Sequence, residues 1–431
     1  MTVAVESRGL GKIAVASVVG TSIEYYDFIL AGVASTIIWP SIFYPESSPA
    51  LALFFAVGSY ALGLAVRPIG GFIFGHLGDR YGRKAMLVWT LVAMGLGTIA
   101  IALTPGYASI GIAGGVLIYV WRTVQGLGIG GEWGSAATWI TEHSSTSRWR
   151  SVWSNWVNMG IPFGLISSYG TFLVLEYTLS PSALFNWGWR LAYIISAIII
   201  VLGVIIRYRL QESPLFNDIF EKKQTLKSPI GRLFREQWKK VILLTLSWSY
   251  IISLFYVAVV FAIGYDASPP LKVSPNYMIT AIIVAGIIAA AVQVIGAISG
   301  DKIGRRRVVI IGALALGVFS IPFWYMMSTG DTLYIIIAEV IFNSLLLFGF
   351  GPLAAFFAEQ FPTSYRNSGV GISYQLGALP AGIASTLAPL FFVIYGHGSW
   401  LPIGIMSLAY CVVSAVAAGL SKETIKTGVT E

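Results

Sequence analysis

Long apolar segments alternate with short polar ones along the whole chain. A helix that crosses a bilayer needs about 20 predominantly apolar residues. Twelve windows of that length are present, six on either side of a polar stretch near the middle of the sequence. They fall at roughly 12–36, 51–74, 85–104, 112–140, 151–176, 188–208, 240–264, 276–299, 307–328, 332–357, 367–395 and 400–420. The pattern therefore predicts an all-α membrane protein with twelve transmembrane helices.

Positive charges are unevenly divided between the two ends of these predicted helices. Loops that stay in the cytoplasm carry an excess of Lys and Arg. With both termini inside, all but four of the 27 basic residues fall on the inner side. The exceptions are Arg67 and Arg122 within helices, and Arg190 and Lys272 outside. We predict a multi-pass protein of the cell (plasma) membrane with both termini in the cytoplasm.

Composition supports a lipid bilayer as the surroundings. Hydrophobic residues make up 56% of the chain and charged residues only 11%, whereas a soluble domain carries roughly 25% charged residues. The net charge of +8 is explained by the inner loops, so no nucleic-acid partner is expected. The single cysteine, Cys411, and three histidines lack metal-ligand spacing, and we expect neither a metal nor a cofactor.

Two loops of similar sequence divide the chain into related halves. Residues 78–84 read GDRYGRK and residues 300–307 read GDKIGRRR. Repeated halves are common in transporters, whose substrate site lies between them near the middle of the membrane. The predicted organisation is therefore a six-helix bundle over 1–208, a cytoplasmic linker over 209–239 and a second six-helix bundle over 240–431.

Several strings resemble a known family. Residues 75–84, GHLGDRYGRK, with the second copy half a chain later, resemble the loop signature of the major facilitator superfamily. TSIEYYDF (21–28), RTVQGLGIGGEWG (122–134) and EQFPTSYRNSGVGISYQLG (359–377) resemble its metabolite:proton symporter subfamily. The resemblance implies the major facilitator fold and proton-coupled uptake of a small organic acid or related polar metabolite by alternating access.

Other functions stay open at this stage. The subfamily usually has Trp or Phe where Tyr25 stands and often Asn where Gln375 stands, which leaves the substrate undecided. A sugar symporter, a betaine or proline symporter and a facilitated uniporter are alternatives, as is a non-transporting membrane sensor on the same scaffold. No HExxH string or Ser/His/Asp set indicates an enzyme, although fold alone does not exclude activity.

Ionisable residues within the predicted spans are the candidates for proton coupling, because burying charge in a bilayer is costly. Glu24 and Asp27 are three residues apart and share a face of the first helix. In related sugar–proton carriers a first-helix Asp faces an Arg in the fourth helix, so the resemblance assigns Asp27 as the proton site and Arg122 as its modulator. The alternative is a static buried ion pair that only orients the two helices.

The candidate substrate-binding residues combine cations and polar aromatic rings near the middle of the predicted spans. They are Arg122, Gln125, Tyr25, Tyr374, Gln375, Tyr256 and Arg67. For Arg67 the alternatives are extension toward the headgroups or pairing with another helix, for example through Glu132. Glu339 and Asn343, one turn apart in the tenth span, form a second-tier pair.

The twin loops supply a predicted cytoplasmic gate, formed by Asp79, Arg80, Arg83, Asp301, Arg305 and Glu132. A carboxylate at a loop can bind the positive N-terminus of a facing helix. The resemblance places Asp79 against the eleventh span, near Asn367, where it holds the outward-open state. The alternative is a topology determinant that acts by positive charge alone. The second loop has Lys302 in place of Arg80, so we expect the first loop alone to keep the full contact.

Overall fold

A computed structural model describes residues 2–258, 273, 275–391 and 399–426. Lys272, predicted to lie outside the membrane, falls beyond these residues. The first six spans are α1 (Thr2–Val33), α2a (Pro49–Ala65) with α2b (Arg67–Tyr81), α3 (Arg83–Leu103), α4 (Ala113–His143), α5 (Arg150–Thr178) and α6 (Trp189–Tyr208). The second six are α7 (Pro229–Tyr256), α8 (Pro275–Ile303), α9 (Arg305–Ser328), α10 (Thr332–Phe350), α11a (Arg366–Leu376) with α11b (Ala378–Leu390), and α12 (Leu401–Leu420).

Within the described residues, each predicted apolar window holds one or two of these helical segments, and no strand is found. Ten candidate membrane spans in this part of the chain are long and apolar enough to cross a bilayer. The other two windows hold α4 and α11. The α4 helix carries Arg122, Glu132 and Glu142, all buried among neighbouring helices. Its polar residues therefore face protein rather than lipid, which is where intramembrane charges are normally found.

The same local geometry ends α2b and α8. Gly82 follows α2b with φ of 110°, and Gly304 follows α8 with φ of 114°. L-residues other than glycine rarely adopt such positive φ values. Each glycine lets the chain reverse at once into the next helix, α3 or α9. The twin loops and the central linker therefore lie at one end of the bundle, which we call the linker face.

The central linker contains more helix than its polar sequence indicates. A short helix, Pro214–Glu221, is capped by the Ser213 hydroxyl, which accepts from the Phe216 amide. The α7 helix then begins at Pro229 and runs on past a non-helical residue, Gln237, with φ of −134°. Residues 229–239, assigned to the linker from their charges, are thus continuous with the seventh span.

Close contact between the halves depends on small residues in α4 and α11a. A Cβ atom on Gly134 would meet the backbone of Gly371 in α11a. One turn earlier, a Cβ on Gly130 would overlap the Arg67 carbonyl of α2b. Glycine lets helices approach this closely within a membrane. The packing brings α2b, α4 and α11a together at the centre of the molecule.

Candidate functional site

The first twin loop binds the N-terminus of a helix in the other half. The Asp79 carboxylate accepts from the Asn367 amide at 3.0 Å and the Ser368 amide at 2.8 Å. The Ser368 hydroxyl donates to it at 2.7 Å, and Arg83 lies 3.3 Å away. The first backbone amides of a helix lack intrahelical partners and carry partial positive charge. Asp79 thus joins α2b to α11a.

The second loop makes the equivalent contact in the opposite direction. Asp301 accepts from the Ser151 amide at 3.0 Å and the Val152 amide at 3.1 Å, at the start of α5. Arg305 lies 2.9 Å from the same carboxylate. The expectation that only the first loop keeps this contact is therefore wrong. Lys302 does not weaken it, because the aspartate and the arginine four residues later make the contacts. We call Asp79 and Asp301 the loop carboxylates.

Two further buried glutamates connect these loops to the opposite half. Glu142, at the end of α4, pairs with Arg83 at 3.2 Å and with Arg366 of α11a at 2.8 Å. All three side chains are almost fully buried. Sequence reasoning missed Glu142 and Arg366, although Arg366 lies within the string at 359–377. The carboxylate therefore holds one arginine from each half.

The second half repeats this arrangement with Glu359. Its carboxylate pairs with Arg305 of α9 at 3.3 Å and with Arg150 of α5 at 2.8 Å. Arg80, predicted to act with the loops, contacts only the ring of Tyr81 among the interactions seen in the described chain. The linker face is thus held together by two related sets of carboxylates and arginines.

Acidic caps outside the spans complete each loop. Glu212 of the linker accepts from the Lys84 amide at 3.0 Å, and Glu423 accepts from the Arg305 amide at 3.1 Å. Burial raises the pKa of the Glu212 carboxyl, while its hydrogen bonds to the backbone amides of Ser213 and Lys84 act in the opposite direction. Both caps attach the chain that follows a half to the first turn of α3 or α9.

In the described part of the chain, the partners of Glu132 belong to the first half. It pairs with Arg207 of α6 and accepts from the Thr90 hydroxyl at 2.9 Å. Within the described residues it makes no ion pair with Arg67 or with the second half. The structure therefore separates Glu132 from the loop carboxylates with which the sequence grouped it.

Glu24, Arg67 and Gln375 form a chain of contacts across the centre of the molecule. Arg67 Nη2 lies 2.8 Å from Glu24 Oε1, and its Nε donates to Gln375 Oε1 at 3.1 Å. Glu24 is fully buried and Arg67 is 3% exposed, so Arg67 does not extend toward the headgroups. The break between α2a and α2b places Arg67 at the first residue of α2b, where it reaches both α1 and α11a.

Asp27 occupies a separate polar cluster in the first half. It accepts from the hydroxyls of Ser196 and Thr98 and from Gln125 Nε2 at 3.2 Å. Arg122 donates to Gln125 Oε1. The expected direct pairing of Asp27 with Arg122 is absent from this part of the chain, and Gln125 bridges them instead. Thr98 and Ser196 were missed because single hydroxyls in apolar spans carry no distinctive sequence signal.

Three aromatic rings are stacked at the centre of the molecule. The Tyr374 ring lies between Trp133 and Trp248, with centroid distances of 3.6 and 4.0 Å and interplanar angles of 10°. Trp133 belongs to α4 in the first half, whereas Trp248 and Tyr374 belong to the second. The Tyr374 hydroxyl lies 3.5 Å from that of Tyr25. The stack therefore crosses the boundary between the halves.

A pocket lies at the same boundary, and two of the stacked rings, Trp248 and Tyr374, form part of its lining. Three of the predicted substrate residues line it, Tyr25, Tyr256 and Tyr374. The other lining residues are Ile161, Trp248, Ile251, Ile252, Phe255, Leu346, Leu347 and Phe350. Gln375 follows the lining residue Tyr374 in the chain, and Arg67 donates a hydrogen bond to Gln375. Arg122 and Gln125 belong to the Asp27 cluster instead. The pocket thus has an apolar and aromatic wall with phenolic hydroxyls.

The second-tier pair lies in α10, nearer the start of the helix than the residues that reach the pocket. Asn343 Nδ2 donates to Glu339 Oε2 at 2.8 Å, and both side chains are buried. Leu346 and Leu347 of the same helix reach the pocket. Within the described residues, no group of three or more His, Cys, Asp and Glu side chains is placed to hold a metal ion.

Comparison with known proteins agrees with this architecture. The family model described as "Major Facilitator Superfamily" matches residues 28–385. The chain belongs to the major facilitator superfamily. It is 34% identical to the inner membrane metabolite transport protein YhjE of Escherichia coli (strain K12), over 96% of this chain and 94% of that one. It is 28% identical to the shikimate transporter of the same organism, over 96% and 94%.

A solved structure of the same superfamily shares the fold. The proton:xylose symporter XylE, bound to 6-bromo-6-deoxy-D-glucose, superposes with a TM-score of 0.76 at 17% identity, covering 97% of each chain. Family and relatives are transporters, so this chain is a multi-pass membrane transporter of the major facilitator fold and not an enzyme.

Proposed function

We propose that the protein is a proton-coupled symporter that takes up a small metabolite bearing a carboxylate. It works in the cell membrane by alternating access, with the linker face and both termini in the cytoplasm. The observation that carries the proposal is the buried contact of Glu24, Arg67 and Gln375 at the boundary between the halves. A carboxylate and a guanidinium are costly to bury, and here they lie beside the central pocket.

Alternating access requires the linker face to open and close. The contacts of Asp79 with α11a and of Asp301 with α5 join the halves at this face. We propose that these contacts break when the protein opens to the cytoplasm and reform when it opens outward. The two glutamate–arginine sets at the same face are broken in the same movement.

The proton site in this proposal is Asp27. Its carboxylate is fully buried in α1, and its hydrogen-bond partners in the described chain are polar side chains of the first half. Arg122 acts on it through Gln125 rather than by direct contact. Protonation of Asp27 removes a charge from this cluster and frees its hydrogen-bonding partners to rearrange.

A carboxylate-bearing substrate agrees with both the site and the relatives. Arg67 supplies a cation beside the pocket, and guanidinium groups bind carboxylates with well-defined geometry. The shikimate transporter is named for a small carboxylic acid. Sugars need many hydrogen-bonding partners, whereas the described pocket wall offers mainly phenolic hydroxyls. A betaine or proline symporter fits the same carboxylate chemistry.

Uptake into proteoliposomes tests the proposal. Shikimate, succinate, L-proline, glycine betaine and D-xylose are offered with and without an inward proton gradient. We expect at least one carboxylate to accumulate above equilibrium only when the gradient is present. Equilibration that ignores the gradient would indicate a uniporter, and accumulation of D-xylose alone would indicate a sugar symporter. Absence of any flux would favour a membrane sensor.

A further inference from the structure

The ion pair between Glu24 and Arg67 is incompletely satisfied. Glu24 Oε1 lies 2.8 Å from Arg67 Nη2. The second oxygen, Oε2, is buried and accepts no hydrogen bond within the described residues. Buried carboxylate oxygens are normally satisfied, because leaving one without a partner costs free energy. In the described residues, Glu24 therefore forms an ion pair with Arg67 alone. It loses few other contacts when Arg67 pairs with a different anion.

Arg67 is positioned to serve two anions in turn. Its Nη2 faces Glu24 of the first half, while its Nε is held by Gln375 of the second half. The chain neighbours of these two residues, Tyr25 and Tyr374, line the pocket, and their hydroxyls lie 3.5 Å apart. The Arg67 guanidinium is close enough to interact electrostatically with all three phenols that line the pocket, Tyr25, Tyr256 and Tyr374.

Among the described residues, the other cation near Glu24 is already paired and does not replace Arg67. The charged groups that α4 and α6 bring toward it are Glu132 and Arg207, which pair with each other. The α5 helix places glycine against this part of α1, since a Cβ on Gly160 would meet Thr21 and Ser22. One turn along α1, Asp27 has its own polar partners. Neutralising Glu24 therefore leaves Arg67 without a paired anion.

We propose that the carboxylate of the substrate takes the place of the Glu24 carboxylate at Arg67 when Glu24 binds a proton. The inference rests on the proposed function and adds Glu24 to Asp27 as a second acid that takes a proton, at the place where the proton and the substrate meet. A proton from the outside converts the Glu24 carboxylate to the acid, and the Glu24–Arg67 ion pair breaks. An ion pair between Arg67 and the substrate carboxylate forms in its place. One positive and one negative charge enter together, so the net charge of the buried region is unchanged.

Binding of the proton alone and binding of the substrate alone are both unfavourable, and this couples the two binding events. A proton without substrate leaves Arg67 buried and unpaired, which is strongly destabilising. A substrate anion without the proton places two carboxylates on one guanidinium, and like charges in a low dielectric repel. Binding of either partner therefore favours binding of the other. The substrate class is a small monocarboxylate whose apolar or cyclic body packs against the aromatic wall.

Ligand binding by purified variants tests this exchange. Thermal shift and calorimetry measure binding of shikimate, L-proline, glycine betaine and benzoate at acidic and alkaline pH. Wild type should bind at least one carboxylate more tightly at acidic pH, by about tenfold, a usual size for coupling between two sites. Glu24→Gln should bind that probe equally at both pH values. Arg67→Gln should lose binding at both. Glu176→Gln and Arg209→Gln, which change exposed charges elsewhere, should retain the wild-type profile.

A double variant guards against loss of folding. Glu24→Gln with Arg67→Gln removes both buried charges, which is better tolerated than removing one. It should stay monodisperse, with a melting temperature close to that of wild type, and bind none of the probes. A merely structural pair would instead lower stability without abolishing the pH dependence of binding in Glu24→Gln.

The outcomes separate this inference from the proposed function. Proton-dependent binding and uptake that persist unchanged in Glu24→Gln would overturn the exchange and leave symport standing. Failure of every carboxylate to bind wild type would overturn the substrate class. Wild-type uptake that ignores the proton gradient would overturn the proposed function itself.

Discussion

At the scale of single residues, the buried acids of α1 differ in their surroundings. Glu24 has a direct cation and a contact to the second half through Arg67. Asp27 has hydroxyl and amide donors from α3, α4 and α6, all in the first half. Their three-residue spacing suggests one shared site, but each acid enters a different network. A substitution at Asp27 should therefore alter the contacts among helices of the first half directly and the pocket only indirectly.

Neutralising Asp27 should uncouple transport from the proton. Asp27→Asn keeps a side chain that can still accept from Ser196, but it removes the charge that protonation would cancel. We expect uphill accumulation of the substrate to fall to background. Exchange of substrate between the two sides of the membrane at equal pH should continue. Counterflow and gradient-driven uptake in proteoliposomes measure the two activities. Undiminished uphill uptake would contradict the assignment, and Glu176→Gln serves as the exposed-carboxylate control.

At the scale of helices, the Trp133–Tyr374–Trp248 stack fixes how α4, α7 and α11a meet. Stacked aromatic pairs contribute about 0.5–1.5 kcal/mol each beyond burial. Because Tyr374 is shared by both pairs, its ring connects the halves beside the pocket that it lines. Its hydroxyl contributes only the weaker contact with Tyr25.

Two substitutions at Tyr374 distinguish the contribution of its ring to stability from that of its hydroxyl. Tyr374→Leu should destabilise the protein by about 3 kcal/mol, because a large aromatic side chain is lost from a packed site. Tyr374→Phe should cost about 1 kcal/mol or less, in line with a single hydrogen bond. Thermal unfolding of the purified variants measures the difference. Equal melting temperatures for the two would show that the stack contributes little.

The helices could be predicted from the sequence more readily than their contacts. Apolar length locates every span, because the bilayer sets the length of a crossing helix. It does not locate the start of α7, since charged residues 229–239 form helix outside the apolar window. Spacing along one helix places Asp27 and Arg122 on suitable faces, but it does not show that Gln125 lies between them. Glu142 and Glu359 were missed because charges at helix ends resemble ordinary inner-loop charges.

At the scale of the whole molecule, the loop carboxylates act reciprocally. Asp79 of the first half holds α11a of the second, and Asp301 of the second half holds α5 of the first. Residues that share one interface do not contribute independently. Opening of the linker face must break both contacts, so either one keeps the halves partly joined.

Removing the loop carboxylates should open the linker face in steps. Hydrogen bonds to charged groups contribute about 1.5–3 kcal/mol, so Asp79→Ala or Asp301→Ala should favour the opened form by roughly tenfold. The double variant should exceed the product of the single effects. Labelling of Ser151→Cys in a Cys411→Ala background measures exposure of this buried site. Equal labelling of wild type and double variant would exclude a gating role.

The reciprocal contacts at the linker face imply that the two halves do not need a covalent connection in order to assemble. An interface in which each partner offers the same contact to the other is the kind that joins identical subunits. The two halves meet as the subunits of a dimer do, and the chain at residues 222–228, after the short linker helix, serves mainly as a tether. Co-expressed fragments divided within residues 222–228 should therefore assemble into an active transporter, and Asp79→Ala with Asp301→Ala should abolish that assembly before it abolishes folding of the joined chain.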